Sequence, residues 1–224
     1  MNQKKLIIFM PIIEGGGVEK NLFLISNYLK DKLNKISLIT VSKNFRNRFD
    51  KKIKFISPRS NFWENKGRKS KFIVSLYLLF LEIIKNRNIV VISFQANVYC
   101  AILCKLLNIK IIVRPNSSPV GWSQNFIKYY CFKYLFRLAD KIIVNSIDFK
   151  NEFKSIFNLK TICIYNPLNK KEIIQNSKIK SDIKFSRKKI NLINVGRLVH
   201  QKDQMTLLKS LKKVKDKINF NLLI

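Results

Sequence analysis

The chain has 224 residues, 47% of them hydrophobic and 12% aromatic, and its 44 basic against 13 acidic side chains give a formal charge of +31. That apolar content excludes a disordered chain and is ample for one large domain or one and a half ordinary ones. The four cysteines form no CxxC pair and there is one histidine, which excludes a disulfide scaffold and any recognisable zinc pattern.

In chain order, Lys5 to Phe9 is an apolar run that predicts a first strand. The preceding residues are basic, but the apolar stretch spans only about seven residues before Glu14 and three glycines, too short for a secretory leader. Val18, Leu22, Ile25 and Leu29 recur at helical spacing behind Gly15, Gly16 and Gly17, predicting a first helix. Ile36 to Val41 and Ile53 to Ile56 read as strands, and a helix follows over 68–86. Its apolar stretch from Phe72 to Ile84 is interrupted by Glu82 and falls short of the roughly 20 residues a membrane span needs, so a buried helix is expected. Strand Ile89–Phe94, helix Ala96–Leu107, strand Ile109–Arg114, a helix over 123–138, strand Lys141–Val144, a helix over 147–157 and strand Thr161–Ile164 complete this pattern.

Short, fully apolar strands alternating with helices imply an α/β fold, a Rossmann-like parallel sheet covered on both faces. It accounts for residues 1–168. Residues 169–189 carry eight basic and two acidic side chains without sustained periodicity, and are expected to be an exposed interdomain connection. Strand Ile190–Val195, a helix from near Lys202 to about Lys217 and strand Asn219–Ile224 read as the opening β-α-β of a second Rossmann-like domain, residues 190–224.

The chemistry concentrates where strands end. After Asn194 and Val195 the backbone drops into Gly196, and two cations, Arg197 and Lys202, follow five residues apart beside a helix start. Glycine permits close backbone approach, a helix start offers unpaired amides and the cations offset negative charge, which suits a diphosphate. Gly15, Gly16 and Gly17 occupy the equivalent place after the first strand, where they serve either a phosphate or sugar, or simply a tight turn. Glu19 is then either a substrate contact or a favourable negative charge in the first helical turn. Arg114 and Asn116 follow a buried strand; Asn116 can hydrogen-bond a hydroxyl or merely cap its loop. On a parallel sheet, Gly15–Gly17, Ser93–Asn97 and Arg114–Ser118 should gather at the carboxyl edge. His200 has no partner at ligand spacing, and the cysteines read as small buried hydrophobes in a reducing compartment.

Five stretches in order, PIIEGGGVEKNLFLISNYL, RPNSSP, ADKIIVNS, YNPLN and NVGRL with its following QKD, resemble the family 4 retaining glycosyltransferases of the GT-B fold. The resemblance implies a partial GT-B architecture: an acceptor-side first domain and a C-terminal domain truncated before the family's paired glutamates. It implies a nucleoside-diphosphate sugar as co-substrate, no cofactor and no metal, and transfer to a hydroxyl of a cell-surface polysaccharide, lipopolysaccharide or polyprenyl-linked glycan. Arg197 and Lys202 would stabilise the departing diphosphate, and Gly15, Gly16, Gly17, Glu19, Arg114, Asn116 and Gly196 would line the substrates. The family often has histidine where Asn116 stands, and asparagine cannot act as acid or base.

The charge has two sources. Three alanines, and 35 lysines against nine arginines, are the mark of AT-rich coding, whereas dedicated nucleic-acid binders favour arginine. A basic run from Ser42 to Lys71 and the interleaved aromatics and cations of Trp122 to Arg137 are candidate contacts with an anionic membrane, against the plainer reading of a covering helix. A cytoplasmic enzyme, peripheral at the membrane, is expected. The alternatives are an inactive glycan- or lipid-binding module and, more remotely, a nucleic-acid binder.

Overall fold

The computed structural model describes residues 4–121, 125–180, 183 and 185–224. The chain divides into two compact units, Met1–Asn169 and Lys170–Ile224.

The first unit is built on seven parallel strands, β1 (Lys5–Phe9), β2 (Ile36–Ile39), β3 (Lys54–Ile56), β4 (Ile89–Ser93), β5 (Lys110–Val113), β6 (Lys141–Val144) and β7 (Ile162–Cys163). Their order across the sheet is β3-β2-β1-β4-β5-β6-β7. Registers such as Leu6 opposite Ile36 and Val90 place the apolar runs side by side at the centre.

Alternate residues of these strands feed two separate cores, as a sheet covered on both faces requires. Leu6, Ile8 and Met10 pack with Leu22 and Phe23 of helix α1 (Gly17–Leu29). Ile7 and Phe9 pack, on the other face, with residues of α2 (Arg68–Lys85), α3 (Asn97–Leu106), α4 (Phe126–Phe136) and α5 (Ile147–Phe157). Phe136, Phe153 and Phe157 stack edge to face within that second core, with ring centroids 5.5 and 5.8 Å apart. Each such buried ring contributes roughly 1.5–3 kcal/mol of transfer free energy.

One ion pair braces the start of the sheet. Lys5 Nζ donates to the Glu82 carboxylate of α2 at 2.7 Å, with both side chains nearly out of solvent. Burial alone would raise the Glu82 carboxyl, but the Lys5 hydrogen bond and the charges of Lys5, Lys54 and Lys85 hold it below its ordinary value.

Several expectations need correction. Helix α2 is not buried all round: Ile73, Tyr77 and Ile84 are exposed. Cys131 is exposed and Cys163 half-buried; only Cys100 and Cys104 are core residues, and burial pushes the Cys100 thiol up, away from reactivity. The stretch expected to be an irregular connection contains helix α6 (Lys170–Ser177). The second unit also holds β8 (Ile190–Ile193), helix α7 (Gln204–Val214) and β9 (Phe220–Leu223), with β8 and β9 parallel. Helix α7 starts two residues later than expected, because a 3-10 turn takes His200–Lys202 and Asp203 serves as the helix cap. Trp122 and the residues beside it lie outside the described residues.

Candidate functional site

From β1 the chain turns toward β2, while from β4 it advances toward β5, so the carboxyl ends of β1 and β4 flank the point where winding reverses. Loops diverging from such a point leave a crevice for ligands. The polypeptide fixes that crevice with side chains. Gln95, just beyond β4, accepts from the Ile12 amide at 3.0 Å, and Ser42, beyond β2, accepts from the Ile13 amide at 3.0 Å. Asn116 donates to the Phe94 carbonyl at 2.6 Å, tying the loop after β5 to the end of β4. The three expected loops thus do gather at one edge.

Gly15 has φ +82°, a conformation that penalises any side chain, and Phe45 packs against it. Gly16 is the N-cap of α1 and supplies no side-chain cap, so the first amides of that helix are capped by no side chain. Glu19 comes back over this end: a Cβ on Gly16 would meet its Oε2 at 2.9 Å. Buried there, Glu19 sits as a negative charge in the first turn, where the helix dipole favours it. An incoming anion would have to share that helix start with a carboxylate.

Arg114 is 2% exposed, with a guanidinium 5.7 Å from the Phe94 ring centre and an NH2 that donates to Asn166 Oδ1 at 2.7 Å. Burial lowers its pKa from the ordinary arginine value. Ser118 donates to the Glu152 carboxylate, closing the same loop onto α5.

Two acceptors stand out. Asn97 Oδ1, at the start of α3, and Asn145 Oδ1, just beyond β6, are buried and have no hydrogen-bond partner among the described residues. Native structures seldom leave such atoms unpaired, so each marks a place where a ligand hydroxyl or water donor fits. Ala96, immediately before α3, is held at φ +54°, a strained position for a residue with a Cβ. Strain and orphaned acceptors coincide on the loop after β4.

In the second unit Gly196 follows β8, and a Cβ built on it would lie 3.6 Å from Lys202 Cγ and 3.5 Å from Gln204 Nε2. Gln204, a buried amide, donates to the Arg197 carbonyl at 3.0 Å and so holds the glycine turn against the start of α7. The Arg197 and Lys202 side chains are exposed. The amides at the helix start are less open than expected: the Asp203 carboxylate accepts from the Thr206 amide at 3.4 Å. Asn194 Oδ1, just beyond β8, is a third buried acceptor without a described partner.

The first unit therefore brings together Gly15, Gly16, Gly17, Glu19, Arg114 and Asn116, and the second brings together Gly196, Arg197 and Lys202. Gln95 lay within the expected Ser93–Asn97 loop and Ser42 at the start of the basic run without being given a role, and Gln204 is missing from the sequence reading. Gln95 and Ser42 are polar residues two or three positions beyond an apolar strand, a signal present but shared with ordinary loop chemistry, and Gln204 opens helix α7. His200 is exposed in the 3-10 turn, and among the described residues no cluster of His, Cys, Asp and Glu could hold a metal.

No protein-family model and no curated protein matches the chain. Solved structures do. Alr3699/HepE of Anabaena, crystallised with UDP-glucose, matches with a TM-score of 0.67 at 14% identity, over 98% of this chain and 60% of its own. The lipopolysaccharide outer core galactosyltransferase WaaB, in its apo form, matches with a TM-score of 0.57 at 17% identity, over 98% of this chain and 59% of its own. The fold is GT-B, in part. The UDP-N-acetylglucosamine 2-epimerase of Rickettsia bellii also matches, with a TM-score of 0.59 at 15% identity, over 99% of this chain and 61% of its own. This chain thus spans about 60% of the length of these GT-B neighbours. A GT-B fold shared by transferases and an epimerase does not choose between them; residues must.

Proposed function

We propose that this GT-B chain is part of a retaining glycosyltransferase that moves a sugar from a nucleoside diphosphate to a hydroxyl of a cell-surface polysaccharide, lipopolysaccharide or polyprenyl-linked glycan. The observation that carries the reading is the Gly196 turn: a glycine outside the left-handed region, pinned by Gln204, with two exposed cations beside it. The turn does not need glycine for its backbone angle, and the absence of a side chain there leaves the backbone open to close approach by a ligand. Arg197 and Lys202 are free to meet phosphate oxygens, and cations so placed stabilise the charge that grows on a departing diphosphate. Neither step asks for a metal, and the nucleotide sugar is a co-substrate rather than a cofactor.

In this reading the first unit handles the sugar hydroxyls and the acceptor. Asn116, Asn97 and Asn145 are neutral and can orient hydroxyls without competing for a proton. Arg114 is a fixed cation behind them. The retained anomer, the family 4 assignment and the acceptor class rest on the five sequence stretches, which lie at these same loops.

The test is to incubate the purified chain with a panel of uridine, guanosine and thymidine diphosphate sugars, with and without a lipid-linked glycan extract, and follow both nucleotide and sugar. Acceptor-dependent release of nucleoside diphosphate with the sugar attached to glycan is the expected result. Conversion of the sugar without transfer would point to epimerase chemistry, and failure to bind any nucleoside diphosphate would overturn the reading.

A further inference from the structure

Two arginines of the first unit reach across loops, and they do so very differently. Arg46 is half-buried and donates to the carbonyls of Phe49, Asp50 and Lys51, so its guanidinium is spread over three backbone acceptors. Arg114 is far more enclosed, at 2% exposure, yet its side chain donates one hydrogen bond among the described residues, from Nη2 to Asn166 Oδ1 at 2.7 Å. The Phe94 ring lies 5.7 Å from the guanidinium carbon. No carboxylate pairs with it: the ion pairs among the described residues all use lysine.

A guanidinium carries five N–H donors and stays charged in a protein. Taking that charge out of water is costly, and a buried cation ordinarily has a counter-ion and a full set of hydrogen bonds to offset the cost. Here the described residues supply one neutral amide and one aromatic ring. Burial lowers the Arg114 pKa, and no neighbouring carboxylate opposes that shift. A cation so far from satisfied, at the carboxyl edge of a parallel sheet, has the character of a binding group rather than of a brace.

The surroundings narrow the choice of anion. Arg114 follows β5 and Asn166 lies beyond β7, while Asn145, whose buried Oδ1 has no described partner, follows β6, the strand between them. Neighbouring strands are about 4.8 Å apart, so these three strand ends span about 10 Å. Their demands are opposite in kind: Arg114 needs an acceptor that carries negative charge, and Asn145 Oδ1 needs a donor. A neutral sugar meets only the second. A sugar that carries an oxyanion meets both, and the planar fork of arginine suits a carboxylate or phosphate in two-point contact. Asn166 is itself exposed, so the guanidinium lies behind a neutral amide oxygen that an oxyanion can displace.

We propose that Arg114 is a specificity-determining residue that selects an anionic sugar, giving its oxyanion the counter-charge partner that the fold itself does not occupy. That the anion is borne by a sugar rests on the transferase reading; that Arg114 lacks a counter-charge does not. This anion is a different one from the donor diphosphate, which that reading gives to Arg197 and Lys202. Two sources share the chemistry, the carboxylate of a uronic acid and a phosphate carried by a sugar.

The experiment is ligand-observed NMR titration of the full chain with methyl glucuronide, glucose 6-phosphate and neutral methyl glucoside, using wild type, Arg114→Met and Asn166→Ala. Wild type should bind one of the anionic sugars about tenfold or more tightly than the neutral one, as a charge-assisted contact provides. It should keep that preference in about 1 M salt, where surface cations are screened within about 3 Å. A preference for the glucuronide assigns the anion to a uronic acid, and one for glucose 6-phosphate to a phosphate. Arg114→Met retains the stem and should lose the preference, while melting no more than about 2 °C below wild type without ligand, because the charge it removes has no partner to lose. A brace would instead melt lower and keep the preference. Asn166→Ala removes an exposed competitor for the guanidinium and should bind the preferred sugar severalfold more tightly, which tests the proposal even where Arg114→Met fails to fold. The proposal is overturned if neutral and anionic sugars bind alike, if the preference vanishes in high salt, if Arg114→Met retains it, or if Asn166→Ala binds no more tightly than wild type. None of these sugars carries a nucleotide, so this binding and acceptor-dependent transfer can fail separately.

Discussion

Two glycines that look alike in sequence should respond in opposite ways to alanine. At Gly15 the backbone sits at φ +82°, which an L residue adopts at a cost of about 1–2 kcal/mol, although Phe45 at 3.7 Å leaves room for the methyl group. For a unit of this size each kcal/mol lowers Tm by roughly 2–4 °C, so Gly15→Ala should melt about 2–8 °C lower. Gly196 has no such angle, and a methyl there makes ordinary contacts at 3.5–3.8 Å with Gln204 and Lys202. Gly196→Ala should therefore hold its stability within about 0.5 kcal/mol. Under the proposed function, however, the methyl would occupy the space beside the Lys202 stem where a phosphate would meet the backbone, and affinity for the nucleoside diphosphate that the wild type binds should fall by about tenfold or more. Thermal melts by circular dichroism and titration calorimetry with that nucleotide read the two effects separately. If Gly196→Ala binds it as well as wild type, the glycine is only a turn and the diphosphate argument collapses.

Arg197→Ala and Lys202→Ala remove exposed side chains, so each should leave Tm within about 2 °C while, under the proposed function, weakening nucleoside-diphosphate binding roughly tenfold, as loss of a charge-assisted contact does. Glu82→Gln leaves Lys5 without its counter-charge and should cost about 2–3 kcal/mol at pH 7, read from the melting temperature. Because the Glu82 carboxyl is held below its ordinary value when folded, its contribution is present above the unfolded carboxyl range near about pH 4.3 and is lost as pH falls through the folded value. Wild type should thus lose Tm more steeply than Glu82→Gln between pH 5 and pH 3, and parallel curves would refute the pairing. Ser146 accepts from the Phe149 amide at 3.2 Å as the cap of α5, and Ser146→Ala should cost about 1 kcal/mol, read from the melting temperature.

The sheet was legible because its central strands, β1, β2 and β4, are buried on both faces. Lys141–Val144 matches the expected strand, and the helix expected near 147–157 spans Ile147–Phe157, bounded by a capping serine and by Asn158 in the left-handed conformation. Elements held by side chains rather than by periodicity were not legible. The 3-10 turn Lys43–Arg48 is secured by Arg46, whose guanidinium donates to the carbonyls of Phe49, Asp50 and Lys51, and no spacing rule announces that. Helix α6 escaped because it has no buried side to impose a pattern. The late start of α7 turned on one choice: Asp203, in the left-handed conformation, caps it, so Lys202 lies before the helix rather than in its first turn.

For the site, the sequence could name glycines and cations, whose chemistry is local, but not the groups that hold them in place. Gln95 matters because β1 and β4 are neighbours, and its bond to Ile12 spans 83 positions of the chain. The same holds for Arg114 and Asn166, 52 positions apart. What long-range pairing adds is a distinction between two kinds of polar residue at the carboxyl edge. Gln95, Ser42, Asn166 and Ser146 are committed to the protein's own backbone or side chains and fix the loops. Asn97, Asn145 and Asn194 bury an acceptor that no described residue satisfies. Ser26, Ser57, Ser75 and Thr161 also bury unpaired hydroxyls, but the three asparagine acceptors lie just beyond β4 and β6 of the first unit and β8 of the second, where a water or ligand donor can reach them. Titration with sugars that keep or lack a given hydroxyl would read whether Asn97, Asn145 or Asn194 takes such a donor.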